Sequence, residues 1–298
     1  MSYVGRFAPS PTGPLHFGSL IAALASYLDA RAHDGKWLVR IEDVDETRCN
    51  PMHIAEILHT LQVFGLQWDG HVEIQSGRKA DYGTVLQTLR SCGLVYGCAC
   101  SRQEIADSAI IGPDGPVYPG TCRRLALAES GNAVRVVTTD DVISFTDALQ
   151  GAFSQRLNTQ TGDFVVKRRD GLFAYQLAVV ADDAAQGVTH VVRGADLLDS
   201  TARQIYLQRL LGYTTPQYLH IPIAVDALGK KLSKQTLAAG VFAATDAPQA
   251  LLRSALQFLG QSAARFEPSQ SIAALLTRAA SHWDRSAIPR ARTRLSGA

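Results

Sequence analysis

Two short segments, more than two hundred residues apart, carry side chains suited to handling a polyphosphate. The first reads Arg6-Phe7-Ala8-Pro9-Ser10-Pro11-Thr12-Gly13-Pro14-Leu15-His16-Phe17-Gly18-Ser19. His16 can donate to phosphate oxygens, and Gly18 lets a nucleotide approach the backbone closely. The second reads Gly229-Lys230-Lys231-Leu232-Ser233-Lys234, a loop with three ammonium groups. Such a loop can neutralise charge that builds on phosphates in a transition state. Alone, a His-x-Gly is commonly a helix cap and a lysine cluster a solvated loop. Together, in this order and context, they point to ATP chemistry.

These segments need a scaffold. Val4 to Ala8 reads as a strand, and Gly18 to His33 as a helix with Leu20, Ile21, Leu24 and Leu28 on one face. The first segment therefore sits at a strand-to-helix junction, where backbone N–H groups of a doubly wound sheet meet phosphates. Trp37 to Ile41 is again strand-like, Asn50-Pro51 starts a helix, and a further helix is expected over Gly77 to Cys92. This βαβα alternation predicts an α/β fold with a parallel sheet. From about residue 97 to 170 it breaks into short β-rich runs, Val134 to Val137 and Val142 to Phe145, with a Gly/Pro-rich loop at residues 112–116. Alternation resumes with a helix at Tyr175 to Ala185, a strand at Thr189 to Arg193 and a helix at Ser200 to Leu211. Helices are then expected over Ala247 to Leu259 and Ser271 to Ala280. The expected divisions are 1–96 and 171–240 for two halves of one catalytic domain, 97–170 for an insertion, and 241–298 for a C-terminal helical region.

No apolar run approaches the roughly 20 residues needed to span a bilayer. With a strand beginning almost at the N-terminus and no leader pattern, the cytoplasm is the expected location and a membrane partner is not expected. A net charge of +2 is too small to argue for nucleic acid by itself. Over residues 241–298, however, seven arginines face three acidic residues. That excess reads either as a solvated helical face or as a phosphate-contacting surface.

Five cysteines, an odd number, argue against a disulfide framework. Three of them, Cys98, Cys100 and Cys122, with Tyr118 between, could supply three thiolates and an oxygen to a tetrahedral zinc ion; free thiols are the alternative.

The two phosphate-handling segments resemble the HIGH and KMSKS signatures of class I aminoacyl-tRNA synthetases, standing here as His16-Phe17-Gly18-Ser19 and Lys231-Leu232-Ser233-Lys234-Gln235. The surrounding residues 6–13 and Arg40-Ile41-Glu42-Asp43-Val44-Asp45 resemble the glutamyl-tRNA synthetase branch. Ser19 and Gln235 depart from the usual motif endings but leave the histidine and lysines in place.

The resemblance implies a Rossmann-like catalytic domain, L-glutamate and ATP as substrates, and Mg2+ accompanying ATP. It implies a glutamate pocket lined by Arg6, Phe7, Ala8, Pro9, Ser10, Glu42, Tyr175 and Arg193. An ATP site of His16, Gly18, Ser19, Lys231 and Lys234 is implied as well, with His16, Lys231 and Lys234 steadying the phosphates. Such a pocket needs an anion for the substrate ammonium, which Glu42 offers, and a fixed cation for its side-chain carboxylate. Arg6 and Arg193 offer the planar fork that matches a carboxylate. The small relatives within this branch carry a Cys-x-Cys…Tyr-x-x-x-Cys zinc site, matched here by Cys98, Cys100, Tyr118 and Cys122. Only residues 235–298 follow Lys234, too few for the anticodon-reading module of a full glutamyl-tRNA synthetase. The shortened form resembles the members that transfer glutamate to the cyclopentenediol of queuosine in tRNA(Asp), working as a monomer. A short enzyme charging a tRNA acceptor end, or a non-catalytic RNA-binding paralogue, remain as alternatives.

Overall fold

The computed structural model describes residues 2–107, 110–112, 115–231, 248–262 and 270–295. Its centre is a set of parallel strand pairs. The strand Val4–Phe7 pairs with Lys36–Ile41, which pairs with the short strand Glu73–Ile74. On the other side, Thr189 donates its N–H to the Val4 carbonyl at 2.9 Å, and the strand it introduces, His190–Gly194, pairs with Gln217–Ile221. Residues far apart in sequence are thereby laid edge to edge, with Arg6 and Arg193 near the carboxyl ends of their strands.

The helix Phe17–Arg31 follows the first strand. Its buried residues, among them Leu20, Ile21, Leu24, Ala25, Leu28 and Ala30, go most of the way around it. A helix apolar on nearly all sides belongs inside a protein, and this one is covered by strands, by the helix Pro248–Phe258 and by Ile272–Ser281. Asn50 caps the helix Pro51–Val63 by accepting from the Met52 N–H, with Pro51 in the first turn. The expected helix over Gly77 to Cys92 begins as a 3-10 turn at Gln75–Arg78 and continues as Lys79–Ser91.

The middle of the chain is antiparallel. Val95–Cys98, Ala133–Val136 and Val165–Lys167 form one sheet, and Val142–Asp147 with Gly151–Arg156 a separate hairpin. Gly162, with φ +72°, crosses directly over the Tyr118 backbone, where a Cβ would collide with main-chain atoms.

The arginine-rich C-terminal segment is neither bare nor wholly helical. Thr293–Leu295 adds a parallel strand to Ile223–Val225. Arg285 grips the buried Asp29, Arg290 donates to the Gln150 carbonyl, Arg292 pairs with Asp199, and Arg294 donates to the Phe258 carbonyl. These four arginines fasten the segment to the rest of the fold. Among the described residues no helix is long and apolar enough to cross a membrane.

Candidate active site

A cleft of about 340 Å3 opens where the first strand ends and the first long helix begins. It is lined by Arg6, Phe7, Ala8, Pro9, Ser10, His16, Gly18, Ser19, Glu42, Tyr175, Arg193 and Lys231. Lys234 lies outside the described residues. Asp196, Ile221 and Pro222 also line the cleft, and the motifs did not single them out.

One end of the cleft is a buried charge lattice. Arg6 donates Nε to Asp183 at 3.2 Å, and Arg40 donates to the same oxygen at 2.7 Å. Arg40, completely buried, also reaches Glu42 at 3.3 Å and lies 3.8 Å from Asp182. Asp182 accepts in turn from Gln75, Arg78 and Tyr82 at 2.7–2.8 Å. No other hydrogen bond of the Arg6 guanidinium occurs among the described residues. One edge is held from behind and the rest is available to the cleft.

Burial tends to raise the Asp183 pKa, but Arg6 and Arg40 together hold its carboxyl below the usual range. Glu42 responds differently. Burial pushes its carboxyl up, only partly offset by Arg40 and Arg6. A cation brought beside Glu42 would therefore meet an anion short of compensation. Tyr175, pushed up to about 12 by burial and the neighbouring Glu42, stays a neutral hydroxyl and can donate.

Asp182 and Asp183 went unnoticed in the sequence, although two adjacent carboxylates among Leu177, Ala178, Val179 and Val180 on one helix were a visible signal. Arg40, a charge within the apolar run Trp37 to Ile41, was another.

The other end is more open. His16 caps the helix Phe17–Arg31, its Nδ1 accepting from the Ser19 N–H at 3.3 Å. With Nδ1 used as acceptor, a neutral imidazole carries its proton on Nε2. The helix N-terminus adds positive potential at the same place. Lys231, half exposed, forms an ion pair with Asp196.

Away from the cleft, Cys98, Cys100 and Cys122 bring their sulfurs within 4.8 Å of one another. The Tyr118 hydroxyl is 3.3 Å from the Cys98 sulfur and accepts from the Cys122 N–H at 2.9 Å. Burial and the adjacent Cys122 thiol push Cys100 up to about 11. Three thiols gathered this closely suit a metal, which would favour the thiolates. The donor set, three sulfurs and one phenolic oxygen, fits a tetrahedral zinc ion.

The family described as tRNA synthetases class I (E and Q), catalytic domain, matches residues 3–275. A curated relative from Aromatoleum aromaticum, named Glutamyl-Q tRNA(Asp) synthetase, is 53% identical over 289 residues, covering 97% of this chain and 91% of its own. One of the same name from Dechloromonas aromatica is 52% identical, covering 97% and 96%. Among solved structures, a glutamate-tRNA synthetase from Elizabethkingia anophelis superposes with a TM-score of 0.79 over 99% of this chain and 68% of its own. At 24% identity that likeness shows the fold.

Proposed function

This chain belongs to the class I tRNA synthetases, and within them to the glutamyl-Q tRNA(Asp) synthetases, a family of ligases; from that premise we propose that it activates L-glutamate with ATP and passes the glutamyl group to queuosine in tRNA(Asp). The supporting observation is that two sets of side chains, Arg6, Glu42 and Arg193 suited to an acidic amino acid and His16 and Lys231 suited to phosphates, line a single cleft.

In this reading the substrate ammonium rests on Glu42, whose carboxylate lacks full compensation. The side-chain carboxylate is received by Arg6 and Arg193, and the Tyr175 hydroxyl adds a hydrogen bond. The α-carboxylate is left toward the nucleotide. It attacks the α-phosphorus of ATP, the bond to the bridging oxygen breaks, and pyrophosphate departs with glutamyl-adenylate left behind. His16, donating from Nε2, and Lys231 steady the phosphates, and Lys234 has the same part by its motif. Mg2+ travels with ATP as part of the substrate. The protein's contribution is positioning and charge stabilisation rather than covalent chemistry.

A hydroxyl of the queuosine cyclopentenediol then attacks the acyl carbon, giving the ester and AMP. An anticodon-loop base can be unstacked and presented in this way. Cys98, Cys100, Tyr118 and Cys122 would hold one zinc ion. Bound there, away from the cleft, zinc supplies a structural crosslink.

Incubating the protein with labelled glutamate, ATP and tRNA(Asp) tests the proposal. Label should pass to queuosine-containing tRNA(Asp) and not to the same tRNA lacking queuosine. Equal labelling of both, or labelling of the acceptor end of tRNA(Glu), would refute it.

A further inference from the structure

We propose that a buried pair outside both sequence motifs, Asp147 and His220, positions Arg193 so that a single nitrogen of its guanidinium is presented to the amino acid. The inference rests on the glutamate pocket proposed above and deepens it.

Arg193 and His220 sit opposite one another on the paired strands His190–Gly194 and Gln217–Ile221. Arg193 Nε donates to His220 Nε2 at 3.0 Å. Its Nη2 donates to Thr201 Oγ1 at 2.9 Å and to Gln204 Oε1 at 2.8 Å. Nη1 is buried and makes no hydrogen bond among the described residues. A buried cationic donor left without an acceptor is costly, so a fold that satisfies two nitrogens and leaves the third lacks an acceptor there. Because Arg193 lines the cleft, a ligand carboxylate is the acceptor that completes the set.

This arrangement works only if His220 Nε2 carries a lone pair. A proton there would aim N–H at N–H. Asp147 prevents it. Its Oδ2 accepts from His220 Nδ1 at 2.6 Å, which puts the imidazole proton on Nδ1. Its Oδ1 accepts from the backbone N–H groups of Leu149 and Gln150, at 3.0 and 2.8 Å. The His220 N–H, at 3.1 Å from Oδ2, adds a further donor. So fastened, the carboxylate stays charged: burial acts to raise its pKa, but the His220 and backbone hydrogen bonds hold it below the usual range. His220, completely buried, is pushed down to about 4 by that burial and is neutral at working pH.

The pair gives a role to the hairpin Val142–Asp147 and Gly151–Arg156, which contributes no residue to the cleft. Asp147 stands at its turn and reaches Arg193 only through the imidazole. Neither Asp147 nor His220 touches the cleft, so both are positioning residues.

The test uses the full chain with His220→Leu, His220→Gln and Asp147→Asn. Glutamate KM and ATP KM are measured in glutamate-dependent pyrophosphate exchange, and 15N NMR reports which His220 nitrogen bears the proton. His220→Leu should raise the glutamate KM by about 10- to 100-fold, the effect of removing a hydrogen bond to a charged group. The ATP KM should stay unchanged. His220→Gln, which keeps an acceptor oxygen within reach of Arg193, should recover most of the loss. Asp147→Asn should raise the glutamate KM and mix the tautomers.

A glutamate KM unchanged in His220→Leu, an equal rise in both KM values, or a wild-type His220 protonated on Nε2 would each overturn the proposal. The NMR readout needs neither activity nor a folded variant. Wild-type protein lacking any glutamate-dependent exchange would strike the assigned function instead, and the tautomer would still report on the pair.

Discussion

At the proposed amino-acid end of the cleft, Arg6, Glu42 and Arg193 are 3%, 8% and 5% exposed; Arg6 and Glu42 are held by other buried charges, and Arg193 by the neutral His220, Thr201 and Gln204. At the proposed nucleotide end, His16 is a half-buried helix cap and Lys231 an exposed loop lysine paired with Asp196. The difference follows from what each end must do. A small zwitterion with one extra carboxylate is best recognised by charges fixed in advance, and buried charges stay fixed when other charges or hydrogen bonds brace them. A triphosphate must enter and a pyrophosphate must leave, which favours screened cations on a cap and a loop. On the proposed function, selectivity is concentrated at the braced end and turnover at the open one.

The sharpest way to break this contrast is to truncate one residue at each end. Arg6→Ala should lower glutamate-dependent pyrophosphate exchange by at least about 100-fold, because Asp183 is left with an uncompensated share of buried charge. Lys231→Ala should instead raise the ATP KM by about 10-fold and leave calorimetric glutamate affinity intact, as expected for an exposed cation. Wild-type exchange in Arg6→Ala would take that residue out of the pocket.

Acid probes the same contrast through stability. Asp29, Asp147, Asp163 and Asp183 are all held below the usual carboxylate range: burial would raise each, but hydrogen bonds and neighbouring arginines or His220 prevail. A depressed carboxylate contributes stability that is complete above its ordinary value and is lost as pH falls through the depressed one. The melting temperature should therefore fall steeply below about pH 5. A melting temperature that holds steady to about pH 3 would mean these carboxylates are not braced as described.

The smallest effect on exchange is expected at the thiol cluster, since none of its residues lines the cleft. Protein purified without chelator should contain one zinc per chain. Cys122→Ser should lose the metal and melt earlier while exchanging pyrophosphate at nearly the wild-type rate. Absence of zinc from wild-type protein would end the metal assignment.

Legibility from sequence divides along the same line. His16, Glu42 and the lysine loop sit in contiguous motifs, and the parallel α/β core announces itself by alternation of short apolar strands with amphipathic helices. The helix Tyr175–Ala185 is found where its pattern puts it. The braces are another matter. Asp147 and His220 acquire meaning only when a strand and a hairpin distant in sequence are brought together, and no local spacing announces that; the adjacent carboxylates Asp182 and Asp183 are visible on their helix, but not their arginine partners. The strand Gln217–Ile221, followed at once by Pro222, is absent from the sequence-based expectations. The C-terminal arginines show a related difficulty. Their local charge excess suggests a free surface, and nothing near them in sequence reveals that Asp29 and Asp199 are waiting.

The most direct test of the two-ended cleft is pyrophosphate exchange with purified protein, ATP and single amino acids, with no tRNA present. The account predicts exchange with L-glutamate, and little with glutamine, which lacks the carboxylate, or with aspartate, which is too short to span from Glu42 to the arginines. Exchange equally supported by glutamine, or none with glutamate until tRNA is added, would contradict it.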